Sequence, residues 1–162
     1  MNDPLDRLHQ VRSLRQQRAQ TDLARGRRRL DRADEELSRR QRDLEGHRRF
    51  QAKMEALLFS RMDGKAVTLG ELETYRGRVS DLRTEGKAFQ ENMRQAQIQK
   101  DSARAEAERL DAVFHKRCRE STRLEEYRKV RITRIEEEKN RRSEEEMEEM
   151  ALNRFSPHKP GS

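Results

Sequence analysis

The chain has 162 residues, 43% of them charged, 31% hydrophobic and 4% aromatic, with a formal net charge of +7. A conventional globular core needs about half its residues apolar and only about a quarter charged, so this composition leaves either disordered chain or long helices that share a narrow seam. No stretch approaches the roughly 18 apolar residues of a membrane span, and residues 1–10 lack the apolar run of a cleavable signal peptide.

Periodicity chooses the helices. Leu23, Leu30, Leu37 and Leu44 follow one another at seven-residue spacing, with Ala19, Gly26 and Ala33 at the complementary positions. That is the heptad of a coiled coil. The stripe is expected to continue upstream through Leu8, Val11 and Leu14 or Arg15, and downstream through Phe50, Met54, Leu57 and Leu58. No proline occurs from Leu5 to Ser60, so the pattern predicts a first helix over 5–60.

The pattern breaks over 61–67, where Asp63-Gly64 supplies a turn-competent pair. Thr68-Leu69-Gly70-Glu71 then reads as a capping box, in which the threonine hydroxyl and the glutamate carboxylate satisfy each other's backbone amides. A second helix is expected from there to about Leu152. Its seam runs through Leu72, Tyr75, Val79, Leu82, Gly86, Phe89, Met93, Ala96, Lys100, Ala103, Ala107, Leu110 and Phe114, in alternating steps of three and four. Beyond Phe114 the next apolar residues are Cys118, Leu124, Tyr127 or Val130, Ile132 and Ile135, which need an inserted four-residue step, a stutter. The tail over 156–162, with Pro157, Pro160 and Gly161, reads as disordered.

Helices joined by so short a connection run antiparallel. The fold class is therefore all-α, a long two-helix coiled-coil hairpin. Pairing about residue 64 sets Leu5 beside Leu124, so the second helix overhangs alone from about residue 125. Glu137 with Arg141 and Glu138 with Arg142 stand Glu-before-Arg at four-residue spacing, which supports an isolated helix. A monomeric hairpin and an open antiparallel dimer would use the same heptads.

The charge excess lies in residues 1–60, at +5, and includes the run Arg25-Gly26-Arg27-Arg28-Arg29. Such a run could grip phosphates, but acids are interleaved (Asp22, Asp31, Asp34, Glu35, Glu36) and the aromatics of single-strand binders are missing. A solvated coiled-coil flank is the plainer reading, and no specific nucleic acid is expected. The glutamate clusters at 136–138 and 144–149 radiate around a helix and do not converge on one ion, so no metal is expected. Cys118 is the single cysteine and has no metal or disulfide companion, consistent with a reducing cytosol.

No phosphate-binding loop of the GxxxxGK[ST] type is present, and no cofactor is implied. Hairpin pairing brings His9 toward His115, with no nucleophile and no pocket. A two-helix fold lacks the concave, water-excluding site that catalysis needs, so the chain reads as non-enzymatic. Binding by surface remains. Met147, Met150, Ala151 and Phe155 form a small apolar stripe near the far end of the overhang, either a contact face or a frayed end. Around the turn crowd Leu57, Leu58, Phe59, Met62, Val67 and Leu69. Half of these close the hairpin, and Phe59, Met62 and Val67 are candidates for an exposed contact patch.

A basic, cysteine-poor chain of this size, with an Arg/Gln-rich leucine heptad, a turn near residue 64 and a longer second helix that ends in a Glu-rich run before Met150-Ala151-Leu152-Asn153-Arg154-Phe155, resembles a known family. It is similar to the stalk proteins of bacterial type III secretion, the YscO/SctO proteins of injectisomes and their flagellar counterpart FliJ. The resemblance spans roughly residues 5–155. It implies an antiparallel coiled coil like the shaft of the rotary ATPase gamma subunit. The terminal end, with Leu8, Arg12, Met147, Met150 and Phe155, would sit in the bore of a hexameric secretion ATPase, and the hairpin tip would face an export gate protein. Secretion chaperones are further implied partners, at a cytoplasmic site peripheral to the inner-membrane apparatus. A general coiled-coil scaffold or adaptor is the alternative, and a basic nucleic-acid binder a more distant one.

Overall fold

Asp3 opens the first helix in the computed structural model, which describes residues 3–155. Its carboxylate accepts from the Leu5 amide at 3.2 Å and its carbonyl from the amides of Asp6 and Arg7, while Pro4 occupies the first helical position, where no amide hydrogen is needed. Helix α1 runs Pro4–Met62 and helix α2 runs Leu69–Phe155. They pack against each other as an antiparallel hairpin. Among the described residues no helix is long and apolar enough to cross a membrane. The tail over 156–162 lies outside the described residues.

The connection is built from local rules. Gly64 adopts φ +70°, the left-handed conformation that closes a helix C-terminus, and the Lys65 amide reaches back to the Met62 carbonyl. The Thr68 amide donates to Glu71 Oε2 at 3.3 Å and the Glu71 amide donates to Thr68 Oγ1 at 3.2 Å, the reciprocal pair of a capping box. Gly64→Ala forces a Cβ into the left-handed region, and Thr68→Ala leaves an orphan amide. Each is expected to lower unfolding free energy by about 1 kcal/mol, measured by urea titration.

The chain divides into two units, residues 19–113 and residues 1–18 with 114–162. In the first unit, Ala19, Leu23, Gly26, Leu37, Leu44, His47 and Leu58 of α1 are buried, and Leu30, Ala33, Arg40, Gln51 and Met54 are half-buried between them. On α2 the facing series from Leu72 to Leu110 is half-buried or buried at every three-four step. Leu82, Ala96, Ala107 and Leu110 lie deepest, while Leu72, Val79, Phe89 and Met93 are half-buried. Two helices can enclose only a strip, so no described side chain falls below 2% exposure.

The downstream stripe differs from expectation. Phe50 is 50% exposed and Leu57 45%, whereas the buried positions in that stretch are His47 and Leu58. The phase set by Leu23 to Leu44 leads to 47, 51, 54 and 58, which leaves 50 and 57 on the flank. His47 fits because its Nε2–H donates to the Leu82 carbonyl at 3.0 Å and its ring stacks on Phe89, centroids 4.8 Å apart. The helices lie close at this layer, where a Cβ at Gly86 would stand 3.3 Å from Gln51 Oε1 and 3.4 Å from His47 Nε2.

Lys100 occupies a seam position and reaches Asp34 Oδ1 at 2.8 Å, and the hydrogen bond from Lys100 lowers the Asp34 pKa below its ordinary 3.8. Hydrogen bonds from Arg94 and Gln95 hold Glu91 down to about 2, and Arg109 lowers Glu106 in the same way. Groups depressed on folding stabilise the fold above their unfolded pKa and lose that contribution as pH falls through the folded value. The melting temperature is thus expected to stay flat above about pH 5 and to fall between about pH 4.5 and 2, as followed by circular dichroism.

In the second unit the seam turns polar. Leu5, His9, Arg12 and Gln16 of α1 are half-buried, while Leu8, Val11 and Leu14, expected in the stripe, are 39%, 43% and 55% exposed. Counting back in heptads from Leu23 gives 16 and 9, and from Ala19 gives 12 and 5, so the same phase rule excludes them. On α2 the inward residues are Phe114, Arg117, Ser121, Leu124 and Arg128, in unbroken three-four steps without the expected stutter. Tyr127, Val130, Ile132 and Ile135 are all exposed. Leu124, 5% exposed, is the last buried apolar residue among those described, and Arg128–Asp6 (2.7 Å) and Arg131–Asp3 (3.1 Å) extend the pairing beyond it. Every residue over 132–155 is exposed, yet helical. Arg142 pairs with Glu138 at 2.8 Å, as the spacing predicts, while Arg141 reaches forward to Glu145 at 3.8 Å.

Candidate functional site

The apolar residues expected to make contacts stand exposed on two surfaces. One is the free end of α2. Met147 is 65%, Met150 66% and Phe155 85% exposed. The helix that carries them is sustained by propensity and by four-residue charge pairs, since among the described residues no second helix lies alongside it. Leu152, 70% exposed, belongs to the same end, and its place in Met150-Ala151-Leu152 was legible in the sequence. Glutamates 144–146, 148 and 149 surround the methionines, so this end presents flexible, polarizable apolar groups in an acidic setting.

Leu8 and Arg12 do not join that group. Asp3 is already paired with Arg131, and Met147 stands sixteen residues farther on, about 24 Å at 1.5 Å per residue. Arg12 is also engaged, its Nη1 donating to the Glu120 carbonyl at 2.8 Å, while Arg117 holds the Glu120 carboxyl below its ordinary pKa by a hydrogen bond. Arg12 therefore stitches the two helices together, and Leu8 contributes to a separate exposed flank.

The other surface is the hairpin tip. Phe59 is 61% exposed and Val67 38%, while Met62 is half-buried. Met62 and Val67 line a shallow concavity of about 650 Å³ with Leu58, Tyr75, Arg61, Lys65, Arg78 and Glu71. Three cations against one carboxylate give it a positive character. The apolar residues here were legible in the sequence, where Tyr75 was expected only in the seam; Tyr75 and the cations come together because the capped turn folds the start of α2 back beside the end of α1.

A family model described as "Type III secretion protein YscO" matches residues 5–153 of the chain. The chain belongs to the YscO family. It is therefore a protein associated with type III secretion. The match takes in both helices of this YscO-family chain and most of the overhang, ending two residues before Phe155. No match was found among curated proteins or among solved structures.

Proposed function

We propose that this YscO-family chain is a non-enzymatic stalk of a type III secretion apparatus. Its terminal end enters the central bore of the hexameric secretion ATPase, its hairpin tip faces the export gate, and it works on the cytoplasmic side of the inner membrane. Escort of export chaperones belongs to the same reading. The observation that carries it is the unpaired helix over 132–155, exposed throughout and tipped by Met147, Met150 and Phe155. A lone charged helix offers a ring many weak polar contacts and a few adaptable apolar ones, so it can be held without being locked. The tip concavity, with Phe59 beside it, suits the second partner, because cations at its edge select for an acidic segment.

The test is capture from native cytosol with the tagged full chain, followed by an ATPase assay of whatever hexamer-forming partner is recovered. The stalk reading expects a secretion ATPase, lost when the chain is truncated after Glu146. Recovery of nucleic acid alone, or of an unrelated helical partner alone, overturns it in favour of a general adaptor.

A further inference from the structure

The flank exposed near the chain ends has a chemistry that the overhang itself complements. Leu8 and Tyr127 each precede a seam residue, His9 and Arg128, which in an antiparallel pair sets both on one side. Val11 and Val130 follow them three residues on. All four are exposed, and over residues 6–15 and 119–134 arginine and lysine outnumber aspartate and glutamate by nine to four. This is an apolar flank with a basic margin. Its complement is an acidic helix with apolar side chains, and the same chain carries one over residues 144–155, with five glutamates beside Ala151, Leu152 and Phe155.

We propose that the occupant is a second copy, and that two chains associate through their overhangs in an antiparallel, two-fold pair centred on residue 139. The face used runs Tyr127, Val130, Arg134, Glu137, Arg141, Glu144, Glu148, Ala151 and Phe155, the three-four spacing of a helix–helix seam. In this alignment Arg134 stands opposite Glu144, Glu137 opposite Arg141, Glu136 opposite Arg142 and Lys129 opposite Glu149, each pair repeated by the two-fold. The only like charges set opposite each other are the two copies of Lys139, which lies on the opposite side of the helix from Arg141. Ala151 of one copy then stands opposite Tyr127 of the other, Leu152 and Phe155 continue from it along the Leu8–Val11 flank, and Glu148 stands opposite Val130. The contact is isologous and closes on itself, so it makes dimers and no filaments.

Because charges fill the middle of this seam, the dimer is weak and salt-sensitive. It hides Phe155, so self-association and ring docking exclude one another. That last consequence rests on the stalk reading, whereas the dimer does not and is measured without any ATPase.

Sedimentation equilibrium of the full chain, over roughly 1 to 500 µM, tests it in low and high salt. A monomer–dimer equilibrium is expected, shifted to monomer by high salt. Arg134→Glu and Glu144→Arg each set like charges opposite one another and should weaken the dimer by about tenfold, whereas the double variant should return it to near the parent value. Both residues are exposed and lie on the helix surface, so unchanged circular dichroism checks the fold. A chain that stays monomeric throughout overturns the proposal. So does a dimer that the single reversals leave unaltered, or that the double variant fails to restore.

Discussion

Replacing Met147, Met150 and Phe155 together with Ser is expected to reduce binding to the secretion ATPase by at least about 100-fold while leaving helicity unchanged. Each of these side chains is about two-thirds exposed or more, so none contributes to folding by burial, and the substitution removes only what a partner would cover. Burying one such side chain is worth about 1.5–3 kcal/mol, so losing three exceeds the roughly 2.7 kcal/mol that separates a hundredfold change in affinity. The measurement is a titration of the purified ATPase with parent and variant chains. Wild-type affinity in the triple variant would overturn the proposed ring contact at this end and leave the hairpin tip as the stronger candidate surface.

Gly26→Leu should be the most damaging single substitution in the seam, with an expected loss of about 3 kcal/mol or more in unfolding free energy. Gly26 is buried, and a Cβ built there would stand 2.6 Å from Leu110 Cδ1 and 3.7 Å from the Ala107 backbone. A residue without a side chain is what lets the two helices approach at this layer. Leu110 is itself buried, at 9% exposure, and has little room to give way. Gly26→Ala is a milder version of the same conflict, with the gain in helix propensity offset by the displaced Leu110. The control is Gly46→Ala, also within α1, where nothing lies within 4 Å of the added Cβ. That change should raise stability by about 0.5–1 kcal/mol, because it removes only the entropy of a mid-helix glycine. Chemical denaturation of the three variants separates the two effects. Equal responses at 26 and 46 would mean that the close approach at Gly26 contributes nothing to stability.

The elements of the fold were legible because each rests on a rule local to the sequence. Leu23 to Leu44 set a helical period, Asp63-Gly64 offered a left-handed turn residue, and Thr68 with Glu71 announced the next helix by a bond that spans only three residues. The overhang followed from counting, since a second helix longer than the first has nowhere to pair. Composition alone excluded a thick core. The exposed ends named as contact surfaces, Met147, Met150 and Phe155 at one and Phe59 and Val67 at the other, could be read as apolar residues for which the hairpin had no use.

Which residues face inward where the leucines stop was decided only by tertiary structure. Reading hydrophobicity alone put Leu8, Val11, Leu14 and Phe50 in the stripe and inserted a stutter after Phe114. In the folded chain His9, Arg12, Gln16, His47, Gln51 and Ser121 occupy those layers instead, and the phase never breaks. The reason is rigidity. A helix is a periodic object, and shifting its phase would strain the packing of many well-placed layers in order to bury a few apolar side chains. Hydrating those few costs less, provided the polar residues turned inward find partners. His47 finds the Leu82 carbonyl and Phe89, and Arg12 finds the Glu120 carbonyl, across sequence separations of 35 and 108 residues, whereas His9 turns inward with its Nδ1 buried and unpartnered. No local pattern reveals such partners, because they exist only once α2 has folded back along α1.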